Sequence, residues 1–299
     1  MSKIVVTGGC GFIGSHLVDR LVDLNHKVIV IDDLSASENE KFYFNEKAEY
    51  HKNDICDKDK IEPLFENVDY IFHLAAESRI QPAIQNPSRA YNVNVIGTLN
   101  ILELARKYNV KRIMYSSTSS VYGLTNELPT SEKVSIDCLN PYSHSKYLGE
   151  QLFRQYWKEY RLDSVIFRYF NVFGEKSPVK GQYAPVIGIF LNQMRNNMDL
   201  TIVGDGLKKR DFIYVGDVVI ANLNAMMFSG NLESRIINIG SGNNITIKEM
   251  ANLISDDQVH IENRMGEAEN TLADISVAKN LLDFIPKTNV INWIKSELE

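Results

Sequence analysis

The chain has 299 residues, of which 44% are hydrophobic and 23% charged, with a formal net charge of -6. That composition fits a folded globular protein, excludes a disordered one, and offers no basic surplus for binding nucleic acid. Cys10, Cys56 and Cys138 lie far apart without a C-x-x-C pair, and the six histidines lack metal spacing, so neither disulfides nor a metal site is expected. No run reaches the roughly 18 apolar residues of a membrane span. The first residues run straight into strand-like sequence without a signal-peptide core, so a cytoplasmic protein with no membrane partner is expected.

In chain order, Lys3–Thr7, Lys27–Asp32, Glu49–Lys52, 69–74, 112–116 and Ser164–Tyr169 read as short buried strands rich in β-branched and aromatic residues. Helical patterns separate them at 12–24, 61–66, 90–108 and Pro141–Tyr160. Repeated βα units predict an α/β fold with a doubly wound parallel sheet of the Rossmann type. The alternation breaks after Asn171. Residues 172–210 are rich in Gly, Pro, Asn and Lys, with one helical stretch at Val186–Arg195. Strand-like 211–215, helical 217–228 and strand-like Arg235–Ile239 are expected to return to the sheet, and 241–299 reads as short helices and loops. The expected organisation is a nucleotide-binding domain over 1–171, rejoined by about 211–240, with a smaller substrate-binding cap drawn mainly from 172–299.

Thr7-Gly8-Gly9-Cys10-Gly11-Phe12-Ile13-Gly14 follows the first strand and opens a helix. Missing side chains at Gly8, Gly11 and Gly14 let the chain turn tightly and let backbone approach a pyrophosphate at the helix N-terminus. The second strand ends in Asp32, about 20 residues on, where an acid bonds an adenosine ribose. A carboxylate there accepts from a free 2′-hydroxyl and repels a 2′-phosphate, which predicts NAD rather than NADP. Asp33 beside it reads as a solvated neighbour.

Tyr142-Ser143-His144-Ser145-Lys146 puts Tyr142 and Lys146 one helical turn apart on one face, after Asn140 and Pro141 as cap and first-turn residues. A tyrosine is a poor base at its ordinary pKa near 10, but an ammonium and a nicotinamide cation favour its phenolate. Tyr43-Phe44-Asn45-Glu46-Lys47 repeats the same spacing and reads as a surface coincidence. What separates the two is the hydroxyl-rich segment Ser116-Ser117-Thr118-Ser119-Ser120, which follows the fifth strand and should emerge at the ligand-binding edge of the sheet. By itself, such a segment also reads as an ordinary loop.

T-G-G-x-G-F-I-G-S-H-L at 7–17, H-L-A-A at 73–76, N-V-x-G-T at 94–98, S-S-T-S-S-V-Y-G at 116–123, P-Y-x-x-S-K at 141–146 and R-Y-F-N-V-F-G at 168–174 resemble the extended short-chain dehydrogenases. The closest likeness is to UDP-sugar 4-epimerases, and it continues through 204–212, 238–242 and 264–267. The resemblance implies Tyr142 as acid/base, Lys146 holding the cofactor ribose and lowering the tyrosine's pKa, and Thr118 bonding the reacting hydroxyl. It places Phe12 and Ile13 with the glycines, Asp54 and Ile55 at the adenine, and Leu74, Ala75, Ala76 and Asn94 along the cofactor channel. It assigns Asn171, Arg210 and Arg264 to a nucleotide diphosphate, and it implies a homodimer through the helices near 90–108 and 141–160. Read singly, Arg210 after Lys208-Lys209 is equally a solvated charge run, Asn171 a turn cap and His73 a packed histidine.

Ala75-Ala76-Glu77-Ser78 is similar to sugar-nucleotide dehydratases, yet Ser119-Ser120 stand where those enzymes carry Asp-Glu after the threonine. The reading that follows is an NAD-dependent 4-epimerase of a UDP-hexose or UDP-N-acetylhexosamine. Another NAD-dependent sugar-nucleotide enzyme, dehydratase or reductase, is the alternative, and a non-catalytic dinucleotide sensor a further one. In the resembled epimerases a bulky tyrosine near the Ala273-Asp274 pair restricts the pocket to plain hexoses. The matching residue here is Thr271, which predicts that the N-acetylated sugar is accepted.

Overall fold

Apolar residues alternate between the two sides of each inner strand, so both faces of the sheet must be covered, and this dictates the layered architecture. The computed structural model describes residues 1–36, 41–124, 127–179, 184–263 and 268–299. Its strands are β1 (Lys3–Thr7), β2 (Lys27–Asp32), β3 (Glu49–Lys52), β4 (Tyr70–His73), β5 (Arg112–Thr118), β6 (Ser164–Tyr169) and β7 (Asn171–Phe173). There follow β8 (Leu200–Val203), β9 (Lys209–Arg210), β10 (Phe212–Tyr214), β11 (Arg235–Ile239), β12 (Ile245–Thr246) and β13 (Gln258–Ile261). Seven of them form one parallel sheet in the order β11-β6-β5-β4-β1-β2-β3. Strand order reverses between β1 and β4, where this kind of sheet opens a crevice at its carboxyl edge.

Ile4, Val6, Val28, Val30 and Phe72 pack on one side with Leu17, Val18 and Leu21 of the helix Phe12–Asp23 and with Val218 and Ala221 of the helix Val215–Met227. Val5, Ile29, Ile31 and Ile71 pack on the other with Ile101 and Leu104 of the helix Thr98–Lys107 and Phe153 of the helix Pro141–Tyr160. A separate apolar centre holds the C-terminal lobe, with Phe190, Leu191, Ile202, Met250 and Ile294.

Three elements differ from the sequence expectations. Residues 212–214 do not join the large sheet: β11 occupies the edge of β6 (Arg235 opposite Val165), and β10 pairs instead with β7, Phe212 opposite Asn171. The expected helix 61–66 is one α-turn, Lys58–Ile61, and a 3-10 turn, Glu62–Phe65, with Pro63 in the latter's first turn. The helix expected over 90–108 contains a π-helical stretch, Asn92–Gly97. Among the described residues no helix is long and apolar enough to cross a membrane.

At Gly14 helix and turn are in direct backbone contact: an added Cβ would stand 2.2 Å from the Gly8 carbonyl oxygen. Gly14→Ala should lower the unfolding free energy by about 1–3 kcal/mol, the ordinary cost of overpacking. The expected observation is a lower urea midpoint with an unchanged m-value; an unmoved midpoint would show that the helix can ride outward freely.

Candidate active site

β1 ends at Thr7 and the chain turns at once into the helix Phe12–Asp23. Gly8 has φ +71 and passes so near the next loop that a Cβ would lie 2.7 Å from the Ala75 nitrogen. The helix has neither a side-chain N-cap bond nor an acid in its first turn. Its first N–H groups and positive end are thus left for an anion.

Above this turn lies a cavity of about 520 Å³. Gly8, Gly11, Phe12, Ile13, Gly14, Asp32, Asp54, Ile55, Leu74, Ala75, Ala76, Tyr142 and Lys146 all line it. Asp32 is fixed by two backbone donors, Cys10 N–H at 3.0 Å and Leu34 N–H at 2.9 Å, and burial raises its pKa. The glycine cradle, the open helix end and the acid at the end of β2 fit a dinucleotide.

Asn94 stands behind this wall rather than in it. Fully buried in the π-helical stretch, it accepts Glu77 N–H at 2.9 Å and donates to the Glu77 carbonyl at 3.0 Å and to Ser145 Oγ at 2.9 Å. It therefore fixes the Ala75–Ser78 loop against the helix that carries Tyr142. His73 is equally buried and links Thr7 Oγ1 (2.8 Å) to Thr98 Oγ1 (2.9 Å). Burial drives its pKa down to about 3, so it is a neutral hydrogen-bonding residue.

A second cavity of about 400 Å³ adjoins the first and is lined by Thr118, Tyr142, Asn171, Arg210 and Thr271. Arg264 lies outside the described residues. Arg210 reaches this cavity while its guanidinium donates to the carbonyls of Ala268 and Glu269, both at 2.8 Å. Asn171 donates to the Asp211 carbonyl at 2.9 Å. Ser78, Arg79, Tyr142 and Pro185 belong to both cavities.

The side chain of Asn140 accepts from Ser143 N–H at 2.9 Å and starts the helix Pro141–Tyr160, which puts Tyr142 at the junction and Lys146 one turn deeper. The second Tyr-x-x-x-Lys copy differs: neither Tyr43 nor Lys47 lines either cavity, and Lys47 is exposed. Burial raises the Tyr142 pKa, opposed by the facing Thr118 hydroxyl. Burial also lowers Lys146 to about 7, opposed by the Glu150 carboxylate. The ammonium that was expected to favour the phenolate is thus itself easily lost, because the site excludes water from both groups.

Sequence reading passed over Arg79 and Arg89. Arg79 follows A-A-E-S directly at the carboxyl end of β4, and that position was the available signal. Arg89 bonds Glu77 at 2.5 Å in the wall of the first cavity. Glu77, the residue that suggested a dehydratase, is therefore committed on the cofactor side.

A reversed-order parallel sheet, a glycine cradle and a Tyr–Lys pair at its carboxyl edge define a dinucleotide-dependent enzyme of the short-chain dehydrogenase type. Within that class, the model of the NAD dependent epimerase/dehydratase family matches residues 4–240, and the chain belongs to that family. A putative UDP-glucose 4-epimerase of Methanocaldococcus jannaschii is 39% identical, with 98% of each chain covered. The structure of a UDP-glucose 4-epimerase of Thermotoga maritima, solved with UDP-glucose, superposes with TM-score 0.91 at 34% identity over 99% of this chain and 100% of that one. A UDP-N-acetylglucosamine 4-epimerase of Methanobrevibacter ruminantium, solved with UDP-N-acetylmuramic acid, gives TM-score 0.90 at 33% identity over 99% of each.

If Asp32 selects NAD, Asp32→Ala should weaken NAD binding by about 10–100-fold, the value of a hydrogen bond to a charged group. The same change should narrow the preference over NADP. Calorimetric titration of the apoprotein with both dinucleotides measures this, and equal affinities in the unaltered protein would remove Asp32 from the argument.

Proposed function

We propose that this NAD-dependent enzyme is a UDP-sugar 4-epimerase that takes both the N-acetylhexosamine pair and the plain hexose pair. The observation that carries the reading is the position of Tyr142, a wall of the dinucleotide cavity and of the second cavity alike. A proton donor and acceptor held there would be within reach of a sugar in the second cavity and of a dinucleotide in the first.

NAD bound in the first cavity supplies a reversible hydride acceptor for C4 of the sugar. Tyr142 takes the proton of the 4-hydroxyl as the C4–H bond breaks, and returns it when that bond is remade on the opposite face of the 4-keto sugar. Thr118 holds the hydroxyl in line with the phenol. Lys146, in its charged form, favours the phenolate and donates to the cofactor ribose. Arg210 and Lys208, both half-buried in the second cavity, give it the paired cations that suit a diphosphate. Ser119 and Ser120 line the cavity beside Thr118 without a carboxylate, so no acid is in place there to expel water from the sugar. That favours epimerisation over dehydration.

Thr271 bears on which sugar fits. Its Oγ1 accepts Asp211 N–H at 3.0 Å and the Asn171 amide at 3.3 Å, which leaves its own proton to donate. A small side chain at this place leaves room for an N-acetyl group, and the hydroxyl proton can meet the acetamido carbonyl.

Incubation with UDP-glucose and with UDP-N-acetylglucosamine should yield the 4-epimers, separable by chromatography, without net NADH. Release of a 4-keto-6-deoxy product would instead establish a dehydratase. Tyr142→Phe should lower kcat by about 10²–10⁴-fold, the usual worth of general acid–base catalysis, with NAD binding nearly intact. Near-normal turnover in that variant would assign the proton transfer to another group.

Thr271→Tyr should depress kcat/KM for the N-acetylated substrate much more than for UDP-glucose. Equal effects on the two substrates would show that Thr271 is not the gate.

A further inference from the structure

Beneath the catalytic helix lie three charged side chains with almost no access to water: Lys146, Glu150 and Arg168 are 2%, 0% and 1% exposed. Arg168 takes both oxygens of Glu150, Nε at 2.9 Å and its terminal nitrogen at 2.6 Å, and the Ser117 hydroxyl donates to the same carboxylate at 2.6 Å. A buried ion pair of this kind is a poor way to gain stability, because desolvation offsets most of the attraction. Its presence one helical turn below Lys146 asks for another use.

Lys146 has a defined seat. Its ammonium lies 4.2 Å from the centre of the Tyr115 ring, which is stacked against Phe153 (4.5 Å between centres) and His73 (5.6 Å). Tyr115 reaches under the helix because residue 149 is glycine; a Cβ there would stand 2.2 Å from the phenol oxygen. The ionisable and charged groups around the ammonium are Tyr142 and Glu150 on its own helix, Tyr115 on β5, neutral His73 on β4 and Arg168 on β6. Glu150 is the one anion among these described groups.

We propose that Glu150, clamped by Arg168 and Ser117, is the positioning residue that keeps Lys146 charged and its donors free for the cleft. An unclamped carboxylate would swing onto the ammonium, form a direct pair and use up the N–H groups that the cofactor and the phenol require. Held back by Arg168, it supplies a favourable field and takes no hydrogen bond from Lys146. Without it, burial alone would remove the proton at still lower pH. The sign follows: work that needs the ammonium is present below the Lys146 pKa and fades as pH rises through it, so loss of Glu150 moves the fading to lower pH.

This inference rests on the epimerase reading for its catalytic half only, since Lys146 also lines the dinucleotide cavity. Glu150→Gln alone strands the Arg168 charge in the core, so the test uses Glu150→Gln/Arg168→Gln, which removes both charges and keeps two hydrogen-bonding amides. NADH affinity, read from nicotinamide fluorescence on the apoprotein, and kcat with a UDP-sugar are each followed from pH 5.5 to 9. In the double variant the midpoint of the alkaline loss should move down by about one pH unit, a tenfold change at fixed higher pH. Glu150→Asp, which keeps the carboxylate, should bring it most of the way back. Curves lowered in height with their midpoints unmoved would make the pair purely structural and overturn the proposal. Should the unaltered protein lack epimerase activity, the epimerase reading falls, and the NADH titration still decides the role of Glu150.

Discussion

The cleft depends on how closely one helix can sit on the end of one strand. Gly8 turns the chain with a positive φ against the Ala75 backbone, and Gly14 lets the next turn rest on the Gly8 carbonyl. Any side chain at either position would lift the helix Phe12–Asp23 from β1, and its N-terminus would no longer border the crevice at the strand reversal. Steric closeness of backbone to backbone thus comes first, and the charged and hydroxyl groups of the site act on a cavity it has already shaped.

A chain of buried hydrogen bonds then carries that geometry across the molecule. Ala75 N–H donates to Thr7 Oγ1, Thr7 pairs with His73, His73 with Thr98, and Thr98 donates to the Asn94 carbonyl. Asn94 completes the path to Glu77 and Ser145. The C-terminal lobe has its own hub in buried Asp211, whose carboxylate accepts from Ser241, Gly242 and Ala273 and so ties two separate segments to the strand end beside the second cavity. Half-satisfied networks of this kind are costly, and these are well supplied with donors.

Much of this was legible in the sequence because its causes are local. The glycine spacing, the acid at the end of β2 and the one-turn interval of Tyr142 and Lys146 are short-range patterns, and their residues meet around one pair of cavities. The reading failed where partners are distant. Residues 212–214 look like a sheet strand, but whether β6 accepts them depends on β11, which comes later in the chain. Asn94 looked like a channel residue because its motif says only that it is near the cofactor; its bonds to Glu77 and Ser145 appear only when the loop folds back. Arg79 belongs to no motif; its place after β4 hints only that it is near the ligand edge, and the fold puts it at the rim of both cavities.

The π-helical stretch Asn92–Gly97 has a consequence for how this enzyme can change over time. A π-turn holds one more residue than the α-turn it replaces. Deleting a single residue within 92–97 would let the helix relax to regular winding and leave everything beyond it facing as before, because the π-turn only takes up the extra residue. Thr98 would stay with His73 and the apolar stripe of Thr98–Lys107 would stay on the sheet, whereas Asn94, inside the stretch, would lose its aim at Glu77 and Ser145. Point substitutions on the outer face of this segment cost little by comparison. The extra residue thus re-aims one buried amide while the rest of the helix keeps its face, and its loss would be felt in the Ala75–Ser78 loop.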